Sequence, residues 1–245
     1  MQTFNPINVQ FAVQDNFYAD PDAVRALALA QEFHAGPAYY KGFRTSTRYL
    51  LPGIKERFEE LLHVKITHWG GDTNGIFQYC PADTPIVYHS DRQTYAAAVY
   101  LTPDAPVIAG TNFYRSRATG LRAAPTTLDS IRTGKSPEQL EEETYRNKLY
   151  DRTAWELVDQ VGNVYNRLAV WNARLLHAAG CYFGNSPVNS RLFQLFFFDA
   201  IPKWQIEDVK YIPDLRPPLP PSYGDCTCPP TSNQCTCQSA YLGLG

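Results

Sequence analysis

The sequence predicts a mainly β protein, built as a sandwich or barrel, with helices packed beside it. Short runs rich in β-branched and aromatic residues recur at intervals of about ten residues over 64–115, which is typical of such folds. Sixteen Tyr and 13 Phe stand against a single Met, a composition that favours aromatic packing across neighbouring strands. The chain of 245 residues is long enough for one domain with a complete core.

The overall composition excludes several classes of protein. A net charge of −2 and a pI of about 6.2 argue against broad nucleic-acid binding and against a polybasic membrane surface. The sequence contains no apolar run of about 18 residues, so we expect no transmembrane helix and no membrane partner. The N-terminal segment lacks the basic and apolar regions of a signal peptide. We therefore expect a cytoplasmic protein.

Two helices are predicted near the N-terminus. Asp20 is a good N-cap and Pro21 fits the first helical position, so a helix is expected over 21–33. A second amphipathic pattern predicts a helix over 53–62. Together these form a helical support, 20–63, that would lie against one face of a sheet.

Strands are expected wherever apolar residues alternate or run together between turn residues. These segments are 7–16, 64–69, 75–80, 86–90, 94–101, 105–115 (a turn and a strand), 154–162, 167–180 and 191–200. The polar segment 116–150 interrupts them as an insertion. Within it, Ser136, Pro137 and Gln139 form the start signal of a helix over 136–150. A loop this long in a compact domain is often functional, so we expect a lid.

An H-x-D triplet ends one of the predicted strands. His89 and Asp91 would project to the same face, because side chains two positions apart in a strand do so. One imidazole and one carboxylate are two of the three ligands in the 2-His-1-carboxylate site that holds non-haem Fe(II). The triplet also arises by chance, so the hypothesis requires a third ligand.

The other four histidines are the candidates for the third ligand. His34 and His63 fall in predicted helical regions, where a solvated surface position is expected. His68, beside a tryptophan, fits the edge of the core. His177 ends a predicted strand and remains a candidate.

Arg191 opens the most apolar segment of the chain, 191–200. Arginine stays charged in proteins and needs a partner when it is buried. A dicarboxylate ligand would supply that partner, and a structural ion pair is the alternative.

Taken in order, these residues resemble the Fe(II)/2-oxoglutarate-dependent dioxygenases, and in particular their prolyl 4-hydroxylase-like branch. The resemblance spans 64–201 apart from the insertion. It rests on the order His89-x-Asp91, His177, Arg191 and on four short motifs: "QYCP" (78–81), "VYLTP" (99–103), "GTNF" (110–113) and "RLFQLFFFDA" (191–200).

The resemblance implies a double-stranded β-helix, a jelly-roll or cupin-like fold, as a single oxygenase domain over 1–212. It also implies that His89, Asp91 and His177 bind Fe(II). The co-substrate 2-oxoglutarate would chelate the metal and leave one coordination position for O2.

In the same family pattern, Arg191 would pair with the far carboxylate of 2-oxoglutarate. Tyr79 or Tyr100 could donate a hydrogen bond to that co-substrate, although a strand tyrosine is as often a packing residue. The interval between His177 and Arg191 is longer here than in the closest relatives.

The implied activity is hydroxylation of an unactivated C–H bond. Halogenating relatives lack the carboxylate that Asp91 supplies. A peptidyl substrate, such as a prolyl side chain, is slightly preferred to a free small molecule. A wide groove would favour the peptide. A pocket closed by the insertion 116–150 would favour the small molecule. The alternative is a non-catalytic cupin-like binding or structural module.

Arg92, Asn112 and Arg115 are candidate substrate contacts near the predicted mouth of the barrel, or else solvated surface residues.

The C-terminal segment, 213–245, is a Pro- and Cys-rich tail. Three states of its four cysteines remain open: a zinc site, disulfides or free thiols. These cysteines are Cys226, Cys228, Cys235 and Cys237. Cys80 and Cys181 are expected to be small core residues.

Overall fold

The computed structural model describes residues 10–35 and 42–203. The tail with its four cysteines and the predicted domain boundary at 212 therefore lie outside the described residues. The helices are α1 (Pro21–Leu29), α2 (Ile54–Leu62), α3 (Thr127–Thr133) and α4 (Pro137–Tyr145). The strands are β1 (Phe11–Gln14), β2 (His34–Ala35), β3 (Phe43–Arg44), β4 (Val64–His68), β5 (Phe77–Cys80), β6 (Tyr95–Tyr100), β7 (Thr111–Ser116), β8 (Trp155–Val161), β9 (Leu168–Asn172), β10 (His177–Ala179) and β11 (Arg191–Pro202).

The strands form two antiparallel sheets. The major sheet has the order β1-β9-β6-β11-β5-β3-β2, with β4 paired to the end of β11. The minor sheet has the order β10-β7-β8, and a bridge between His89 and His177 extends it beyond β10.

The chain passes repeatedly from one sheet to the other. From β5 in the major sheet it runs to the bridge at His89 in the minor sheet, then to β6 in the major sheet and to β7 and β8 in the minor sheet. It returns to β9 in the major sheet, crosses to β10 and ends in β11. This alternation defines a double-stranded β-helix, so the predicted jelly-roll fold is confirmed.

Strand β6 separates two parts of the core, because successive side chains point to opposite faces. Ala96, Ala98 and Tyr100 face the minor sheet, where they join a cluster with residues of β7, β9 and β11. Ala97 and Val99 face the helices. The two small alanines on the inner face fill little space between the sheets.

The helical support forms where the sequence predicts it. Asp20 caps α1, its carboxylate accepting the N–H of Ala23 at 2.9 Å, and Pro21 is the first helical residue. In α2 the side chain of Phe58 is fully buried and packs on Phe196 and Phe198, with ring centroids 5.2 and 5.0 Å away. The two helices therefore cover the outer face of the major sheet.

Two of the predicted strands differ from the structure. Segment 86–90 is not a strand, because its backbone groups pair with separate partners instead of one neighbouring strand: Tyr88 N–H bonds to Leu149, and His89 to His177. Segment 167–180 divides into β9 and β10, which belong to different sheets. A turn closed by the bond from Leu175 N–H to Asn172 O separates them.

Three helical predictions also need correction. Helix α4 ends at Tyr145, before the predicted end at 150. Helix α1 ends at Leu29, before the predicted end at 33, and His34 lies on β2. The insertion contains a second helix, α3, within the part predicted as a loop. Its start is fixed by a reciprocal capping box between Thr126 and Asp129.

The helices in the described part of the chain have at most nine residues. None of them is long and apolar enough to cross a membrane.

Candidate metal centre

The loop that carries the H-x-D triplet is attached to the minor sheet by its backbone. His89 N–H donates to His177 O at 3.0 Å, and His177 N–H donates to His89 O at 2.8 Å. Asp91 N–H donates to Ala173 O at 2.7 Å, in the turn between β9 and β10. On β10, His177 pairs with Phe113, which belongs to the cluster between the sheets. The three residues are therefore brought together inside the barrel.

The side chains of the three residues converge. His177 Nε2 lies 3.3 Å from Asp91 Oδ2, and His89 Nε2 lies 3.8 Å from Asp91 Oδ1. One ligand atom from each residue lies within 4.8 Å of the other two. The His177 side chain is buried, whereas that of His89 is 41% exposed. Among the described residues this is the one group of three or more His, Cys, Asp or Glu with such geometry.

The tautomers of both imidazoles follow from their backbone contacts. Nδ1 of His89 lies 3.0 Å from the carbonyl of Val87, and Nδ1 of His177 lies 2.8 Å from that of Leu175. A carbonyl oxygen only accepts, so each Nδ1 carries the hydrogen. In the neutral rings, both Nε2 atoms then present a lone pair to Asp91.

This arrangement fits a metal cation. Asp91 Oδ2 is buried and has no hydrogen-bond partner among the described residues, although His177 Nε2 is close. Three electron-pair donors therefore face one another without a hydrogen between them, which is unfavourable unless a cation lies among them. Two imidazoles and one carboxylate are the donor set that suits a divalent iron-like metal.

The electrostatic environment favours the metal-binding protonation states. Burial lowers the pKa of His89, and the neighbouring His177 lowers it further. Burial alone would raise the pKa of Asp91, but its interactions with the cationic forms of His177 and His89 and with Arg44 outweigh burial and lower it. Neutral imidazole and ionised carboxylate are the forms that bind a metal.

A cavity of about 400 Å³ opens beside the cluster. His89 and Asp91 line it, together with Arg44 and Gln78 of the major sheet. Arg44 Nε donates to Gln78 Oε1 at 2.6 Å, which orients the guanidinium. Leu149 brings one wall residue from the insertion. The cavity is thus bordered by two of the candidate metal ligands, by the cation of Arg44 and by one residue of the predicted lid.

Arg191 is a buried cation on the inner face of β11. Its side chain donates from Nε to Ala109 O at 2.7 Å and from Nη2 to Gly110 O at 3.2 Å. The residue is 4% exposed, and its guanidinium carbon lies 4.4 Å from the centroid of the Phe193 ring. No carboxylate of the described residues forms an ion pair with it. Carbonyls and aromatic rings therefore hold this charge.

The two predicted tyrosines lie on opposite faces of the major sheet. Tyr100 is fully buried on the inner face, and its hydroxyl lies 2.8 Å from Thr111 Oγ1. Tyr79 takes the outer face because Cys80 takes the inner one. Its ring stacks on Phe43 at 4.8 Å. The structure therefore does not bring Tyr79 to the cluster.

The three predicted substrate contacts do not line the cavity. Arg92 is exposed. Asn112 donates to the hydroxyl of Tyr114, whose ring belongs to a separate aromatic cluster. Arg115 makes a two-pronged contact with Glu156, at 3.1 and 3.0 Å.

The two cysteines in the described part of the chain, Cys80 and Cys181, form no disulfide. Cys80 is fully buried, as expected for a core residue, and Cys181 is half-buried.

Sequence reasoning missed several residues of the site. Gln78 carried a signal, because it is a polar residue inside the otherwise apolar run 75–80. Arg44 lies on a strand of two residues and Leu149 at the end of the insertion. Neither position has a periodic pattern around it that would mark it.

Comparison with known proteins gives one family and several similar structures. Residues 76–189 match a family of unknown function, DUF6445. No curated protein matches the chain significantly. HygX from Streptomyces hygroscopicus, solved with nickel and 2-oxoglutarate, is similar over 78% of this chain and 82% of its own, at 12% identity and a TM-score of 0.45.

Two prolyl hydroxylases show comparable similarity. A prolyl-4-hydroxylase from Pseudomonas putida is 14% identical over 78% of this chain and 92% of its own, with a TM-score of 0.40. A prolyl hydroxylase from Trichoplax adhaerens was solved with a peptide of hypoxia inducible factor. It is 12% identical over 80% of this chain and 86% of its own, with a TM-score of 0.43.

Proposed function

We propose that this chain is a 2-oxoglutarate-dependent, non-haem iron oxygenase that hydroxylates an unactivated C–H bond. The observation that supports the proposal is the convergence of two imidazole lone pairs on the half-buried carboxylate of Asp91, whose Oδ2 is buried and has no hydrogen-bond partner among the described residues. His89, Asp91 and His177 would hold the ferrous ion.

The proposal also requires a cation that binds the co-substrate, and Arg191 is the candidate. A buried guanidinium without a carboxylate partner among the described residues is costly, and a dicarboxylate co-substrate in the barrel would lower that cost. Its contacts with Ala109 O and Gly110 O hold the guanidinium in one orientation, ready for a two-pronged interaction with a carboxylate. Arg191 would therefore bind the far carboxylate of 2-oxoglutarate.

When bound, ferrous iron with 2-oxoglutarate and O2 supplies the oxidant, and the products are succinate, CO2 and a hydroxylated substrate. The residues of the protein would bind the metal and orient the molecules around it. The buried His177 and the turn at Ala173 fix one side of the site, while the exposed part of His89 faces the cavity in which the substrate would lie. The apolar residues between the sheets keep bulk water from the opposite side.

The cavity favours a small polar molecule over a peptide as the substrate. A volume of about 400 Å³ lies in the ordinary range for small-molecule sites. Arg44, Gln78 and Gln93 give its wall hydrogen-bonding groups, and Leu149 narrows it from the insertion. A peptidyl substrate, slightly preferred from the sequence, would have to insert a single side chain here.

The rival is a non-catalytic cupin-like module, and one measurement separates the two. The protein is incubated with Fe(II), 2-oxoglutarate and O2 without a prime substrate, and succinate is quantified, since such enzymes turn over slowly when uncoupled. Asp91→Ala is the control. Succinate from the wild type but not from the variant supports the oxygenase. Absence of succinate, together with absence of an iron-dependent absorption band with 2-oxoglutarate, would support the rival.

A further inference from the structure

The end of the insertion is attached to the loop that carries two of the candidate metal ligands. Tyr145 is the last residue of α4, and its hydroxyl lies 2.6 Å from Oγ of Ser90. Ser90 lies between His89 and Asp91 in the chain. A second attachment follows four residues later, where Leu149 O accepts the N–H of Tyr88 at 2.8 Å.

The position of the Tyr145 hydroxyl is fixed from several sides. The ring packs beside Trp155, with centroids 6.3 Å apart, against a buried aromatic cluster on the outer side of the minor sheet. Trp155 itself donates from Nε1 to Lys148 O at 2.9 Å. At the other end of α4, a reciprocal capping box between Ser136 and Gln139 fixes the helix start.

The loop that carries His89, Ser90 and Asp91, called the ligand loop below, has little regular structure of its own. It belongs to no strand, and its pairing with the sheets is a single bridge at His89 and the bond from Asp91 N–H to Ala173 O. In an extended segment, neighbouring side chains point to opposite sides. A bond that holds Ser90 on the outer side therefore keeps His89 and Asp91 directed into the barrel.

We propose that Tyr145 is a positioning residue of the metal centre, acting through its hydrogen bond to Ser90. The insertion is then a structural part of the centre as well as a wall of the cavity, since Leu149 of the same segment lines that cavity. This inference rests on the proposed function only in requiring that the cluster binds a metal.

The test compares Co(II) binding by the full-length protein and its variants, measured by competition with a chromophoric chelator. Tyr145→Phe removes the hydroxyl and keeps the ring. We expect about tenfold weaker Co(II) binding, the lower end of the range for outer partners of metal ligands, and a changed visible d–d spectrum. Ser90→Ala should give the same loss, and the double variant no further loss, because both remove one bond.

The matched control is Tyr165→Phe. The Tyr165 hydroxyl makes a bond of the same length, 2.6 Å, to Asp22 and lies in neither the insertion nor the ligand loop. Its removal should change neither the Co(II) affinity nor the spectrum. If Tyr145→Phe folds poorly, Ser90→Ala tests the same bond without disturbing the aromatic cluster.

Three outcomes of these measurements support or contradict the positioning role of Tyr145. Wild-type affinity and spectrum in both Tyr145→Phe and Ser90→Ala would overturn the positioning role. Absence of Co(II) binding by the wild type would overturn this inference and the proposed function together. A wild type that binds Co(II) and shows the expected losses in the variants, yet gives neither succinate nor an iron-dependent absorption band with Fe(II) and 2-oxoglutarate, supports this inference and contradicts the oxygenase.

Discussion

The guanidinium of Arg191 lies over the ring of Tyr100, with its central carbon 5.2 Å from the ring centroid. The hydroxyl of the same ring is bonded to Thr111. The charge of Arg191 is thus stabilised by an aromatic face and by the carbonyls of Ala109 and Gly110. These are neutral partners, and a carboxylate placed here would gain the full attraction of the cation.

Replacement of Arg191 by Met should weaken 2-oxoglutarate binding strongly. Loss of one member of a buried charge pair costs at least about 2 kcal/mol, which corresponds to about 30-fold in affinity. The measurement is calorimetric titration of 2-oxoglutarate into the Co(II)-loaded protein. Arg167→Met, which breaks the partly exposed pair with Asp15, is the control and should bind as the wild type does. Unchanged affinity in Arg191→Met would rule out the carboxylate role.

The two tyrosines should respond differently to loss of their hydroxyls. Tyr100→Phe leaves Thr111 Oγ1 without its buried partner and alters the surroundings of Arg191, so 2-oxoglutarate affinity should fall by about threefold to tenfold. Tyr79→Phe, on the outer face, should leave the affinity unchanged. Titrations of both variants under the same conditions make the comparison. A larger effect at Tyr79 would contradict the assignment of faces.

His89→Ala should abolish specific metal binding, because two of three ligands rarely suffice and the buried Asp91 loses a partner. Equilibrium dialysis against Fe(II) under anaerobic conditions, with metal quantified afterwards, is the measurement. His68→Ala, at the exposed end of β4, should retain one equivalent. Stoichiometric metal in the His89 variant would mean that the ion binds elsewhere.

Metal affinity should be insensitive to pH near neutrality and should fall in acid. The pKa of His89 is lowered, so protons compete for Nε2 only below the ordinary histidine value of about 6.5. The metal-free fold should also lose stability as pH falls through that value, because the unfolded chain then binds more protons. Co(II) titrations from about pH 5 to 8 test the first point. A decline that begins above neutrality would contradict the lowered pKa of His89.

Phe58→Ala should destabilise the fold without altering the metal centre. Phe58 is fully buried against Phe196 and Phe198 on the helical side of the major sheet. Loss of such a ring costs about 3–5 kcal/mol of unfolding free energy. Urea denaturation measures it, with Leu157→Ala, at a position 52% exposed, as the control. A cost below about 1 kcal/mol would indicate that α2 packs loosely.

The sequence predicted most of the fold because its strongest signals are local. The apolar run of β6 and the largely apolar run of β11 are local patterns, and both form strands that are mostly buried. The strand predictions failed where the partner of a segment lies far away in the chain. Segment 86–90 has strand composition, but its backbone hydrogen bonds go to Leu149 and His177, which no local pattern reveals.

The candidate ligands could be predicted from residue type and order, whereas the surroundings of the cavity could not. His89, Asp91 and His177 carry recognisable chemistry and meet in space. Arg44 reaches the cavity from a strand of two residues, and Tyr145 depends on where α4 ends. Both positions are set by packing between distant segments, which hydrophobic periodicity does not encode.

The mutual amide–carbonyl pairing of His89 and His177 also sets the geometry between the two imidazoles. Residues paired in this way across antiparallel backbone have Cα atoms about 5.5 Å apart, whatever the length of polypeptide between them. The stretch joining the two histidines can therefore gain or lose residues during evolution while the distance between the nitrogen donors stays constant.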